Sequence, residues 1–265
     1  MSDLKYEKKG AVALLTLNRP DRLNAISGPM LNALADRLVE ADQDREVRVI
    51  VITGEGRGFC AGLDLKDQMS GQGLSDAEGA GLGVPGELDL RRAPPTVLHN
   101  LDTPTIAAVN GGAAGYGMDL ALGCDIRIAA EGAKMAPAFV RRGILPESGG
   151  SWLLPRLIGY AKAAEICFLG ETLSAKACLD LGLINHMVPD DMLMETTMEM
   201  AAKIAGNAPL AVRATKRMLR MAADEDFDSH VQRVYLQLLP LFATKDFVEG
   251  MSSFLERRAP EFKGR

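Results

Sequence analysis

The chain has 265 residues, a formal net charge of −5, 47% hydrophobic residues and 25% charged residues. These values are typical of a folded protein with a sizeable core, organised as one domain with a C-terminal appendage. The negative charge argues against a general affinity for nucleic acid, and no apolar run has the length of a membrane span. We therefore expect neither a nucleic-acid partner nor a membrane partner.

The cysteines and histidines restrict the chemistry further. The four cysteines are Cys60, Cys124, Cys167 and Cys178. Their spacing matches neither a redox pair nor a metal site, so we expect reduced thiols, no metal and a cytoplasmic location. The first residues lack the apolar segment of a secretory signal. None of the three histidines lies in a glycine-rich or acidic cluster, so a Ser-His-Asp triad has no support.

The first fifty residues alternate between strand and helix patterns. Residues 4–8 and 12–17 predict two strands that are joined by a turn at Gly10. Residues 28–44 predict a helix with Leu31, Leu34, Leu38 and Ala41 on one face. The apolar run at 47–53 is typical of a strand buried on both faces. This alternation favours βαβ units.

Two glycine-containing junctions follow predicted strands. After the strand at 105–109, Gly111 turns the chain, and a helix begins at Tyr116 with Asp119 in its first turn. In the same way, we expect residues 59–66 to follow a glycine-rich loop and to open a short helix, with Asp64 near its start. The unpaired N–H groups at such helix starts attract developing negative charge. The alternative interpretation is a pair of tight turns packed for close contact.

A carboxylate stands in the loop that precedes the next helix, which is predicted to begin near Ser151. Glu147 lies between Pro146 and the Gly149–Gly150 pair. Among small and apolar residues it would be partly desolvated, which raises the pKa of a carboxyl toward the range of a general base. The alternative is an ordinary glutamate at a helix N-terminus, without a chemical role.

The remainder of the chain predicts mostly helix. Strands are expected at 125–129 and 134–136, and residues 71–86 predict a mobile loop. From Gly159 onward the predicted helices are 161–169, 174–181, 191–205, 209–221, 227–242 and 245–257. Ser174 is the expected N-cap of the second of these helices, and Gly182 is the expected C′ residue that follows its last turn. The apolar residues Val231, Val234, Leu238 and Phe242 predict an oligomer interface.

Several motifs together resemble the crotonase family, also called the enoyl-CoA hydratase/isomerase superfamily. They lie at 18–25, 59–65, 108–125, 145–150, 181–183, 249–251 and 254–258, and they cover essentially the whole chain. The resemblance implies an α/β fold. It consists of a crotonase-like spiral of ββα units at 1–200 and a C-terminal helical oligomerisation region at 201–265. It also implies a homotrimer or hexamer.

The resemblance implies an acyl-CoA thioester substrate, with coenzyme A entering as part of the substrate and no other cofactor. By motif position, the N–H groups of Leu63 and Tyr116 correspond to the pair that polarises the thioester carbonyl. The residues that correspond to coenzyme A contacts are Arg22, Ala25, Ala61, Lys66, Phe254 and Arg257.

The catalytic acids depart from the hydratase pattern of two glutamates. Asp119 occupies the position of the first glutamate, and Phe139 occupies the position of the second. Glu147 instead matches the position at which isomerase-like and dehalogenase-like members place their acid. We therefore expect a hydratase/isomerase-type enzyme that uses Glu147, with Asp119, as acid and base. Hydration and isomerisation both remain open, as do thioester hydrolysis, decarboxylation and a non-catalytic scaffold that binds coenzyme A or RNA.

Overall fold

The computed structural model describes residues 2–64, 91 and 93–265, and its strands form two sheets. The larger sheet has the spatial order β1 (Leu4–Lys9), β2 (Val12–Leu17), β3 (Val49–Gly54), β5 (Thr105–Val109), β7 (Ile126–Ala130) and β10 (His186–Val188). The smaller has the order β4 (Gly58–Cys60), β6 (Gly112–Ala114), β8 (Lys134–Ala136) and β9 (Leu173–Ser174). Only the β1–β2 and β8–β9 pairs of these sheets are antiparallel.

Successive strand pairs contribute to the two sheets in the same way. β3, β5 and β7 join the larger sheet, and the strand after each, β4, β6 or β8, joins the smaller one. The pairs are parallel from one repeat to the next. This repetition produces the ββα spiral and brings the ends of β4 and β6 side by side.

The described residues contain ten α-helices. They are α1 (Gly28–Gln43), α2 (Pro94–Asn100), α3 (Tyr116–Gly123), α4 (Gly150–Ile158), α5 (Tyr160–Leu169), α6 (Ala175–Leu181), α7 (Leu193–Ala205), α8 (Pro209–Met221), α9 (Phe227–Phe242) and α10 (Lys245–Glu256). Ser174 caps α6 by accepting the Ala177 N–H, and Gly182 ends the helix in the left-handed region, as the sequence predicts.

The core lies around the larger sheet. Every residue of β2, β3 and β5 is buried, which agrees with the apolar runs in the sequence. Helix α7 packs across these strands, and the predicted apolar face of α1 is buried. At roughly 25 cal/mol for each Å² of apolar surface removed from water, such burial is the main stabilising contribution to the fold.

Four local predictions are corrected or extended by the structure. The segment predicted to open a helix at 59 forms β4, and Leu63 makes a bridge to Ile26 instead. Strands β9 and β10 lie in the region predicted as almost entirely helical, and α2 was not predicted. β6 is a further strand that the glycine-rich sequence did not reveal. The predicted loop at 71–86 lies outside the described residues.

The C-terminal segment folds back onto the chain. The carboxylate of Asp246 accepts N–H bonds from Lys263 at 2.7 Å and from Gly264 at 2.8 Å. Arg48 donates to the carbonyls of Ala205 and Phe262. Helix α7 continues through residue 200, so the two regions predicted from the sequence share one helix. Among the described residues, no helix is both long enough and apolar enough to cross a membrane.

Candidate active site

A buried asparagine fixes the loop at 18–25 against the smaller sheet. The Asn24 side chain donates to the carbonyls of Glu55 and Gly58 and accepts the Arg19 N–H. The Ala61 N–H donates to the carbonyl of Leu23 at 3.0 Å. The loop therefore packs beside the residues that follow β4.

Two glycines allow the two predicted junctions to touch. A Cβ on Gly62 would lie 2.8 Å from the carbonyl oxygen of Ala114 and 3.7 Å from the nitrogen of Tyr116. A Cβ on Gly117 would collide with the backbone carbonyl of Cys60. Because neither residue has a Cβ, the backbone after β4 lies directly against the start of α3.

At this contact, two main-chain N–H groups have no acceptor among the described residues. Ile26 bonds to Gly62 and Asp64 on either side of Leu63, so the Leu63 N–H points away from Ile26. Tyr116 is the first residue of α3, where an α-helix has no internal acceptor for its N–H. Within the part of the chain that the structure describes, neither group donates a hydrogen bond. Such a pair can receive an oxygen that gains negative charge.

Asp119 connects α3 to the turn that carries Glu147. Its Oδ2 accepts the Ser148 hydroxyl at 2.8 Å and the Gly150 N–H at 2.9 Å. Asp119 is only 2% exposed, whereas Glu147 is exposed. Both residues border one cavity, but only Glu147 is an exposed residue.

Desolvation shifts the pKa of both carboxyl groups in the same direction, although Glu147 is exposed as a residue. Desolvation raises the pKa of Asp119 to about 7, against the opposing effect of the Ser148 and Gly150 hydrogen bonds. Desolvation also raises the pKa of Glu147. Both carboxyl groups are therefore shifted toward values that suit proton transfer near neutral pH.

The shared cavity has a volume of about 500 Å³. Its wall includes Tyr116, Asp119 and Glu147 together with apolar residues such as Leu98 and Leu120. Phe139, at the position where hydratases carry their second glutamate, is buried, and its ring lies 3.7 Å from the Cβ position of Gly115. The cavity wall is therefore mostly apolar, and its acidic residues are Asp119, Glu147 and Asp224.

A second cavity of about 730 Å³ lies against α8. Five residues border both cavities: Leu98, His99, Gly123, Trp152 and Leu153. The Trp152 ring stacks on the Arg156 guanidinium at 3.8 Å and meets the His99 ring edge-on at 5.1 Å. These two contacts hold the indole ring of Trp152 at the boundary between the two cavities.

The structure brings together three of the residues that resemble coenzyme A contacts. Arg22 is exposed at the end of a short helix (Pro20–Arg22), its carbonyl accepts the Ala25 N–H, and Ala61 lies beside the same loop. Lys66 lies outside the described residues. Phe254 and Arg257 are exposed at the carboxyl end of α10, and no hydrogen bond among the described residues joins them to that loop.

The thiols and possible metal ligands suggest no further chemistry at this site. Burial raises the pKa of the Cys60 thiol to about 12, so this cysteine is protonated at neutral pH. Over 2–64, 91 and 93–265, no group of three His, Cys, Asp or Glu residues is arranged to hold a metal ion.

The family model for enoyl-CoA hydratase/isomerase matches residues 7–265. The chain belongs to the enoyl-CoA hydratase/isomerase family. It is an enzyme of that family that processes acyl-CoA thioesters, and the crotonase resemblance and fold predicted from the sequence are confirmed.

The similar proteins include both isomerases and hydratases by name. The chain is 39% identical to 1,2-epoxyphenylacetyl-CoA isomerase from Escherichia coli, over 99% of this chain and 98% of that protein. It is 35% identical to short-chain-enoyl-CoA hydratase from Clostridium acetobutylicum, over 100% and 99% of the two chains. The crystal structure of an enoyl-CoA hydratase from Bacillus anthracis matches with a TM-score of 0.92 and 33% identity, over 100% of both chains.

Sequence reasoning missed several residues around this enoyl-CoA hydratase/isomerase site. Ser148 and Gly150 donate hydrogen bonds to Asp119, which lies 29 and 31 residues earlier in the sequence. No local sequence pattern predicts a contact between residues so far apart. Trp152 and His99 meet only through the packing of α4 and α2. The sequence shows the glycine pair at 149–150 but not its reason. In the structure, Asp119 occupies the space that a Cβ at position 150 would need, so only glycine fits there.

Proposed function

We propose that this enzyme moves a carbon–carbon double bond in an acyl-CoA thioester, with Glu147 as a single base that removes and returns a proton. The observation that supports this proposal most is the contrast between the two carboxyl groups. Glu147 is exposed beside the cavity, whereas Asp119 is buried with its Oδ2 already accepting two hydrogen bonds. One accessible base suffices for a proton shuttle, whereas hydration is best served by two carboxylates that act on a water.

The proposed reaction begins with a 3-enoyl thioester. Glu147 takes a proton from C2, and the electrons of that C–H bond form a dienolate whose negative charge lies on the thioester oxygen. The N–H groups of Leu63 and Tyr116 stabilise this oxygen, by about 3 kcal/mol for each donor. Glu147 then returns the proton at C4, which leaves the double bond between C2 and C3.

In this proposal the substrate is held by its coenzyme A portion at the loop that carries Arg22, Ala25 and Ala61. The guanidinium of Arg22 suits phosphate groups. Lys66, Phe254 and Arg257 remain proposed contacts to the nucleotide end, where the last two would serve a site in the same chain or in a neighbouring one. Coenzyme A enters as part of the substrate, and we propose no separate cofactor.

Hydration is the second candidate, since relatives named hydratases match the whole chain and a carboxyl with a pKa near 7 can exchange protons at neutral pH. The experiment incubates the enzyme in deuterium oxide with 2-enoyl-, 3-enoyl- and 3-hydroxyacyl-CoA esters and follows the products by mass spectrometry and by absorbance of the conjugated thioester. Isomerisation gives conjugation without addition of water, and hydration adds one water.

The same assay separates the remaining alternatives. Release of free coenzyme A would indicate a thioester hydrolase, and loss of carbon dioxide from a carboxylated acyl-CoA would indicate a decarboxylase. Binding of acyl-CoA without turnover of any ester would support a non-catalytic scaffold that binds coenzyme A, and it would contradict the proposed isomerase activity.

We also propose that the chain assembles as a homotrimer or a hexamer through residues 201–265. The exposed apolar residues of α9 and α10 support this: Tyr235, Leu236, Leu239, Val248, Met251, Phe254 and Leu255. Val231, Val234 and Leu238 are only half-buried, so they can contribute partly to the same surface. A cytoplasmic location stays a proposal, supported by four free cysteines.

A further inference from the structure

Asp119 occupies a structural position that the proposed chemistry does not use. Helix α4 begins at Gly150, and its N-cap residue, Gly149, has no side chain that could accept a hydrogen bond. The Gly150 N–H is bonded instead to Asp119, which comes from α3. Asp119 therefore supplies an acceptor to one of the N–H groups that have no partner within the helix at the start of α4.

The second hydrogen bond of Asp119 reaches the residue next to Glu147. The Ser148 hydroxyl is buried and donates to the same Oδ2 at 2.8 Å. The two bonds join α3, whose first N–H faces the proposed oxyanion position, to the turn at 147–149. The distance between the proposed base and the proposed oxyanion donors is therefore determined in part by Asp119.

The surroundings of Asp119 enclose most of its carboxyl group, although the residue borders the cavity. A Cβ on Gly150 would collide with its Oδ1, and Oδ1 is buried without a hydrogen-bond partner among the described residues. A proton carrier must reach the substrate directly or through one water. Asp119 is buried and its Oδ2 accepts two hydrogen bonds, so it is less accessible to a substrate than the exposed Glu147.

We propose that Asp119 is a positioning residue, which holds the Glu147 turn against α3 through Ser148 and Gly150 and does not itself transfer a proton to the substrate. This inference rests on the proposed role of Glu147. It predicts that the hydrogen-bond acceptor at position 119 matters and that a titrating proton there does not.

The test compares Asp119→Asn with Asp119→Ala, because asparagine keeps an acceptor oxygen of the same reach. We expect Asp119→Asn to retain kcat within about threefold of the wild type, and Asp119→Ala to lose about 10-fold to 100-fold in kcat with KM for the acyl-CoA nearly unchanged. Ser148→Ala removes one of the two bonds and should lie between them. Ser151→Ala is the matched control, since that exposed serine does not contact Asp119.

Equal losses in Asp119→Asn and Asp119→Ala would overturn the proposal, because they would show that the ionisable carboxyl itself is required. Wild-type kcat in Ser148→Ala and Asp119→Ala together would also overturn it. If a thermal unfolding scan shows that Asp119→Ala does not fold, the kcat values of Asp119→Asn and Ser148→Ala still test the proposal. Full activity in Glu147→Gln would instead refute the proposed function, so the two failures are distinguishable.

Discussion

Glu147 and Asp119 are both carboxyl groups beside one cavity, and their surroundings give them different capacities. Glu147 stands on an exposed turn, while Asp119 is enclosed and hydrogen-bonded. In the proposed function, exposure of the residue, rather than its position beside the cavity, distinguishes the base Glu147 from the positioning residue Asp119. Because of this contrast, substitution of Glu147 tests the catalytic rate, whereas substitution of Asp119 tests how stability depends on pH.

Replacing Glu147 with glutamine keeps its size and removes the titrating proton carrier. General acid–base catalysis is typically worth about 10²–10⁴-fold, so kcat should fall by that factor while affinity for acyl-CoA stays nearly constant. Steady-state kinetics and a coenzyme A binding titration would measure the two quantities. The control is Glu165→Gln, an exposed glutamate on α5. A Glu147→Gln rate equal to that of the wild type would show that Glu147 is a structural turn residue.

The raised pKa of Asp119 predicts how stability depends on pH. Its pKa is about 7 in the folded chain, against an ordinary value of 3.8, so the folded state binds the proton more tightly. This contribution to the free energy of unfolding is fully present below pH 4 and is lost as the pH rises to about 7. A shift of this size corresponds to roughly 4 kcal/mol.

Thermal or urea unfolding at several pH values would measure this effect as the difference between the wild type and Asp119→Asn. The stability of the wild type relative to the variant should decrease between about pH 4 and pH 7 and then remain level. Parallel stability curves for the two proteins over that range would contradict the assigned protonation of Asp119.

At the scale of elements, α4 contributes two features of the site. Its first residue, Gly150, donates a hydrogen bond to Asp119, and its residue Trp152 lies between the two cavities. Trp152 lies on its first turn, stacked on Arg156 and in contact with His99. If the acyl group enters the cavity beside Glu147, we expect Trp152 to limit how far it extends into the space beside α8. We therefore predict that acyl preference depends on the start of this helix as well as on the cavity near the acids.

Shortening the boundary residue should widen the range of acyl groups. We expect Trp152→Leu to join the cavities and to raise kcat/KM for a long-chain relative to a short-chain enoyl-CoA by about 10-fold or more, because a single additional methylene in an apolar pocket is worth about 10–200-fold in discrimination. Tyr160→Leu is the control, since Tyr160 is exposed and borders neither cavity. An unchanged chain-length profile would show that Trp152 does not limit the acyl group.

The elements also show what the sequence could and could not predict. The long apolar runs at β2, β3 and β5 and the periodic face of α1 were predicted because burial determines them locally. Strands such as β9 and β10 have two and three residues, and they form because a neighbouring strand offers unpaired backbone groups. The candidate acids and N–H groups were identifiable by motif position, whereas the bonds from Asp119 to Ser148 and Gly150 depend on tertiary packing.

At the scale of the molecule, the distribution of apolar surface is uneven. The core around the larger sheet is closed, while α9 and α10 expose large side chains, among them Leu236 at 67% and Leu255 at 80%. An exposed set of this kind is typical of a surface that is covered in an oligomer. Phe254 and Arg257 lie at the end of the same surface.

Sedimentation velocity at micromolar concentration should therefore show a homotrimer or a hexamer. Leu236→Asp together with Leu239→Asp should shift the population toward monomer, since each buried leucine contributes about 1.5–3 kcal/mol to association. Phe168→Asp tests an exposed aromatic residue outside these helices and should leave the assembly intact. A stable wild-type monomer would contradict the predicted interface.

The N–H groups of Leu63 and Tyr116, which donate no hydrogen bond to the described residues and which we propose as oxyanion donors, have a consequence for how substitutions can alter this enzyme. Both donors belong to the main chain, so every residue type except proline supplies them. In a saturation library, position 63 should accept many side chains for carbonyl polarisation, and proline should be the consistent loss. If these two groups are the oxyanion donors, as we propose, substitutions at position 63 can change the surroundings of the acyl group while the polarisation of the thioester carbonyl is kept.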